Sequence, residues 1–134
     1  MSSVASIRRL LVANAALVAA VRALRVFAGD VPLNSALPAI GITDVSGIPR
    51  NTVSMKEPDR VLTARVQVTV YAATYPSQKV ILDLVRKAVP NTFGMVGSVK
   101  VLSILPSTVS SDMKNDDATI FMQSRDFKIT YIES

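Results

Sequence analysis

The strongest constraint on this chain is a change of period within residues 61–89. The first half alternates. Ala64, Val66, Val68, Val70 and Ala72 fall on one side of an extended chain, and Thr63, Arg65, Gln67, Thr69 and Tyr71 fall on the other. That is the pattern of a strand with one buried face. Val80, Ile81, Leu84, Val85 and Ala88 then recur at steps of three and four, which makes one helical stripe. Lys79, Asp83, Arg86 and Lys87 occupy the remaining surface. Pro76 and Ser77 mark the helix start, with Ser77 the expected N-cap, and Pro90 and Gly94 mark its end. The expected centre is a strand followed by a helix that lies back on it. Val66, Val68, Val70, Ile81, Leu84 and Val85 should be buried together, with Leu10 and Leu11 nearby.

The flanks read less regularly. Residues 4–22 form a broken apolar stripe that predicts helix, with Ser3 or Ser6 as cap. Asn14, a poor mid-helix residue and a good cap, predicts a break there. Arg8 and Arg9 before an apolar run resemble a signal peptide. However, Asn14 interrupts the run, Arg22 and Arg25 follow it, and it is too short to span a bilayer. An amphipathic helix, with no membrane role, is the expectation. Val26 and Phe27 form a short extended piece, and residues 38–45 the first strand proper. Residues 47–60 hold Pro49, Pro58 and five charges without periodicity, and predict a long loop or arm. Residues 91–97 read as loop. Residues 99–105 are apolar on both faces, as in an inner or covered strand, and Pro106 should stop it. Asn115, Asp116 and Asp117 predict a turn. The last strand spans residues 118–132, with a phase slip near Ser124 that a bulge would restore.

Composition narrows the chemistry. With 134 residues the chain is sized for one domain, and 49% apolar against 19% charged residues excludes a disordered chain. The net charge is +5, weighted to the N-terminal half, where residues 1–65 carry eight basic and four acidic side chains. There is no cysteine and no histidine, so disulfides, thiolate ligands and the usual general base are all absent. Asp112, Asp116 and Asp117 could offer oxygen ligands, but they match no metal-binding loop. No nucleophile, phosphate-binding or zinc motif is present. The expectation is a non-enzymatic chain without cofactor or metal.

The order of signals resembles the tail-completion or tail-terminator proteins of long-tailed bacteriophages, small neck proteins that join tail to head. The likeness is carried by IRRLLVANAALVAAV at 7–21, the "RVF" of Arg25–Phe27, the "VP" of Val31–Pro32 and the "LP" of Leu37–Pro38. RVQVTVYA at 65–72 and RDFKITYIE at 125–133 complete it. The helix QKVILDLVRKAV lacks the alanine-rich pattern common at that place. The resemblance implies an α+β fold, a mixed and mainly antiparallel sheet with helices packed on one face. It also implies a ring, usually a hexamer, that terminates the tail tube and meets the head connector. Partners would be the tail-tube and head-connector proteins, in the virion and, during assembly, in the host cytoplasm. The alternatives are a head-side connector or adaptor ring, or a small non-specific nucleic-acid-binding module.

A ring subunit needs two different contact patches. Candidate partner contacts are Arg50, Val53, Met55 and Arg60 on the arm, and Val99 and Val101 on the doubly apolar strand. Arg8, Arg9, Arg22 and Arg25 are the candidates to face DNA in a ring lumen, by non-specific contact at most.

Overall fold

The computed structural model describes residues 2–22, 25–29, 31, 36–50, 60–111, 113–114 and 120–133, with backbone alone at 2, 46–50, 60 and 133. Three helices and seven strands follow in the order α1 (Ser2–Ala13), α2 (Ala15–Ala20), β1 (Val26–Ala28), β2 (Ala39–Arg50), β3 (Arg60–Ala72), α3 (Tyr75–Ala88), β4 (Gly94–Val96), β5 (Val99–Val109), β6 (Met113–Lys114) and β7 (Phe121–Glu133). The strands form one mixed sheet in the order β1-β2-β3-β7-β5-β4, with β6 beside β7. Only the β1–β2 pair is parallel. The architecture is α+β, as expected, but strand-rich.

The expected break at Asn14 is present. Its side chain accepts a hydrogen bond from the Leu17 N–H at 3.0 Å and so starts α2. The cap of α3 differs from the expectation. Thr74, not Ser77, is the N-cap, accepting from the Ser77 N–H at 3.3 Å. Pro76 stands inside the first turn, where a missing N–H costs nothing. The buried stripe of α3 is also turned by part of a residue step. It runs Gln78, Ile81, Leu82, Val85 and Ala88, leaving Leu84 only partly buried and Val80 60% exposed.

The central strand is as read. Ala64, Val66, Val68, Val70 and Ala72 are buried. They pack with Ile7, Leu11, Leu17 and Val21 of the N-terminal helices and with Ile81 and Val85 of α3, while Leu10 is partly buried. Helix α1 touches both ends of the sheet, β1 and β4, as well as its middle, so the sheet curls around it. Two glycines permit this closeness. At Gly41 a β-carbon would lie 3.0 Å from the Gly29 carbonyl oxygen, where β1 closes on β2. At Gly97, with φ +63°, it would lie 2.6 Å from Arg9 Nε, because the Arg9 side chain crosses the β4–β5 turn.

Two strands run further than their prolines predict. β2 continues through Pro49 to Arg50, paired with Val61–Leu62 of β3, after a register shift between Asp44 and Ser46. Residues 47–50 therefore belong to a hairpin ladder, whereas 51–59 lie outside the described residues. β5 continues through Pro106 to Val109. Among the described residues, both prolines sit where their strand has a ladder neighbour on one side only, the position at which a proline removes no ladder bond. The slip expected in β7 is absent, since β3 and β7 pair without interruption from Ala72↔Phe121 to Arg60↔Glu133. The irregularities lie in β5 instead, between Val101 and Ser103 and between Pro106 and Val109. The turn expected at Asn115–Asp117 lies outside the described residues.

Candidate partner surfaces

The face of β3 and β7 away from the helices is polar, yet it is not simply solvated. Thr63 and Thr130 share a hydroxyl hydrogen bond at 3.2 Å. Gln67 Nε2 donates to Ser124 Oγ at 3.1 Å. Between them Arg65 Nε and Nη2 both reach Asp126 Oδ2, at 2.9 and 2.7 Å, and Nη2 also donates to Thr108 Oγ1 at 2.8 Å. Asp126 is buried, and a buried carboxylate needs such a partner.

Beside this ladder lies an apolar area. Cross-strand partners point to one side of a sheet, so the register Met95↔Lys100↔Ile132↔Val61 places Met95 and Ile132 on the outer face, and Leu105↔Lys128 places Leu105 there too. Phe93, two residues before Met95, is 75% exposed, Met95 is 64% exposed and Leu105 about half so. Phe93 and Met95 stand at the β4 corner and Leu105 four rungs along β5, and large apolar side chains exposed on one sheet face mark an interaction surface.

A third feature is an open groove of about 510 Å³ against α1, lined by Val4, Ala5, Arg8, Arg9, Val12 and Ala28. Its arginines differ in freedom. Arg8 Nε donates to the Val26 carbonyl at 3.0 Å and holds β1 to α1. Arg9 is exposed over the Gly97 turn.

Two charged sites on α3 and β7 are set apart. Asp83 on α3 accepts from Arg86 and from Lys87 at 2.9 and 3.2 Å. Those hydrogen bonds, Arg86 foremost, hold its carboxyl below the usual range. Arg125 on β7 is different. Burial lowers its guanidinium pKa, the charge on Arg86 adds to the effect, and Asp83 opposes it. No group of three or more potential metal ligands occurs among the described residues.

The family described as tail completion protein gp17 matches residues 5–119. The chain belongs to that family. It is therefore a structural protein of a viral tail and a component of the particle. No curated protein matches the sequence. Among solved structures, a chain of the "Virion of native gene transfer agent (GTA) particle" is similar in fold, with TM-score 0.74 and 13% identity, over 97% of this chain and 94% of that one. No helix among the described residues is long and apolar enough to cross a membrane.

For a tail completion protein, the residues singled out in the sequence fall unevenly. Val101 is wholly buried, so its side chain offers no contact in this subunit, whereas Val99 packs against the core and stays partly exposed. The apolar excess that the sequence placed on β5 faces outward through Leu105 and, on its neighbour, Met95. Arg50 ends β2 and Arg60 begins β3, while Val53 and Met55 lie outside the described residues. Arg25 donates to the Leu37 carbonyl at 3.3 Å, and Arg22 is exposed. Arg8 and Arg25 thus brace the backbone around β1, leaving Arg9 and Arg22 outward. Phe93, Met95 and Arg125 were missed. Two large apolar side chains flanking Gly94 in a segment read as loop were the available signal for the first two.

Proposed function

We propose that this tail completion protein closes into a ring, a hexamer, that terminates the tail tube and joins it to the head connector. The family match over residues 5–119 carries this reading, and the fold likeness to a chain of a gene transfer agent virion supports it. A ring contact is heterologous and pairs unlike patches. The outer face from Phe93 and Met95 at the β4 corner to Leu105 on β5 supplies one apolar patch. The β2–β3 hairpin, whose connecting segment carries Val53 and Met55 between Arg50 and Arg60, is the candidate to reach the adjoining subunit. In such a ring Arg9 and Arg22 contribute a non-specific positive field toward passing DNA, screened over about 8 Å at physiological salt. The role is structural and non-enzymatic.

Native mass spectrometry of the purified protein, together with electron cryo-microscopy of assembled tails, tests the ring. Six copies at the head-proximal end of the tail are expected. A single copy in solution and on the particle alike would end the proposal.

A further inference from the structure

Helix α3 and strand β7 run side by side in the same direction, and their facing residues form successive levels. At the first level the Tyr75 and Phe121 rings meet edge to face, with centroids 6.4 Å apart. At the second, Lys79 Nζ donates to Gln123 Oε1 at 2.8 Å and lies 5.1 Å from the centre of the Tyr75 ring. Gln123 in turn donates to the Ser110 carbonyl at 2.8 Å. Both levels are closed.

The third level is open. Arg125 stands next along the same row of β7, between Val68 of β3 and Val109 of β5 in register. Its Nε is sealed from solvent and has no hydrogen-bond partner, and it makes no ion pair among the described residues. The nearby carboxylate that could answer it, Asp83, is taken by Arg86 and Lys87 on its own helix. Among the described residues at this level, Arg86, Lys87 and Arg125 outnumber Asp83. A guanidinium nitrogen sealed from water and left without an acceptor is costly. Beside it the seam is uncovered, since Val109 is exposed.

We propose that the α3–β7 seam is a docking site for an acidic segment of a partner protein, one of whose carboxylates accepts a forked pair of hydrogen bonds from Nη1 and Nη2 of Arg125, with the sealed Nε behind them. The fork geometry of a guanidinium matches a carboxylate. A recessed arginine with aromatic and aliphatic neighbours is the composition of a protein–protein hot spot. A guanidinium recessed between α3 and β7 is reached more readily by a side-chain carboxylate than by the stiff backbone of a DNA duplex. The site does not depend on ring closure and holds for a single subunit.

The test uses the full chain labelled with nitrogen-15 and follows the Arg125 Nε–H resonance. The probes are a capped hexapeptide alternating glutamate and leucine, its glutamine counterpart, and a short DNA duplex. The glutamate peptide should move the Arg125 signal saturably. The glutamine peptide, and the R125M variant with the glutamate peptide, should bind about tenfold or more weakly, as expected for loss of a charge-assisted pair. R125M should melt no lower than the parent chain, because Arg125 has no internal partner to lose. An unmoved Arg125 signal, equal binding by R125M, or a stronger response to the duplex would overturn the proposal. So would a shift produced by raising the protein concentration alone, which would make the occupant a second copy. A marked fall in the melting temperature of R125M would overturn it as well, by making Arg125 a structural residue.

Discussion

The two faces of the β3–β7 pair are built on opposite principles. On the helix side, Val66, Val68, Phe127 and Ile129 are buried by contact with α1, α2 and α3, and their stabilisation comes from apolar area removed from water. On the other side no helix among the described residues covers the pair. There Thr63–Thr130, Arg65–Asp126 and Gln67–Ser124 bind across the strands. The first face is held by what lies over it. The second is held within its own plane, so it presents a set, rigid polar surface to the outside. Strict alternation of apolar and polar residues therefore does not mean that one face is idle.

Substitutions on each face separate the two principles. The largest effect belongs to the covered face. Phe127→Ala, at a fully buried ring, should cost about 3–5 kcal/mol in urea or thermal unfolding. A cost near that of a surface change would mean the helices do not cover β7 as described. On the outer face, Asp126→Ala should cost about 1–3 kcal/mol, because it strips Arg65 of its carboxylate partner, although Arg65 keeps Thr108 and part of its exposure to water. A double-mutant cycle with Arg65→Met should recover a favourable coupling, and zero coupling would show that the ladder is ornamental. The smallest change goes the other way. Gln78 lies fully buried on the covered face, and neither polar atom of its amide has a partner. Gln78→Met keeps the length, removes the unmet polar atoms and should raise stability by about 1 kcal/mol. Loss of stability in that variant would mean that the amide is satisfied in solution.

What could be read from the sequence follows the range of the interaction concerned. The β3–α3 unit, the break at Asn14 and the extended piece at Val26 depend on neighbours a few residues away, and their periodicity or capping chemistry announces them. The run of β5 through Pro106 depends on which side of the strand has a partner, and that is decided by β7, roughly twenty residues further on. The same holds for Pro49 in β2. Leu84 and Leu82 compete for one helix face, and the strands beneath decide the outcome in favour of Leu82. Asp126 reads as an ordinary surface acid until β7 is laid beside β3 and brings Arg65 to it. Arg125 stays hidden for the same reason, since only an unbroken register in β7 puts it in the row of Phe127 and Ile129. Of the surfaces, the Phe93–Met95 corner was half visible as apolar residues in a loop, and the α3–β7 seam was not visible at all.

The central place of β7 governs how the chain can be made. It is the last described element to leave the ribosome, yet it separates β3 from β5 in the finished sheet. Until residues 121–133 emerge, β1–β2–β3 and β4–β5 are two unconnected fragments, and the earlier helices have only part of a floor to rest on. Contacts that span much of the sequence make folding slow and leave strand edges open meanwhile. The same arrangement acts as a check on completeness. A product cut short before β7 lacks the middle of its own sheet, and so cannot pass for a whole subunit when particles are assembled.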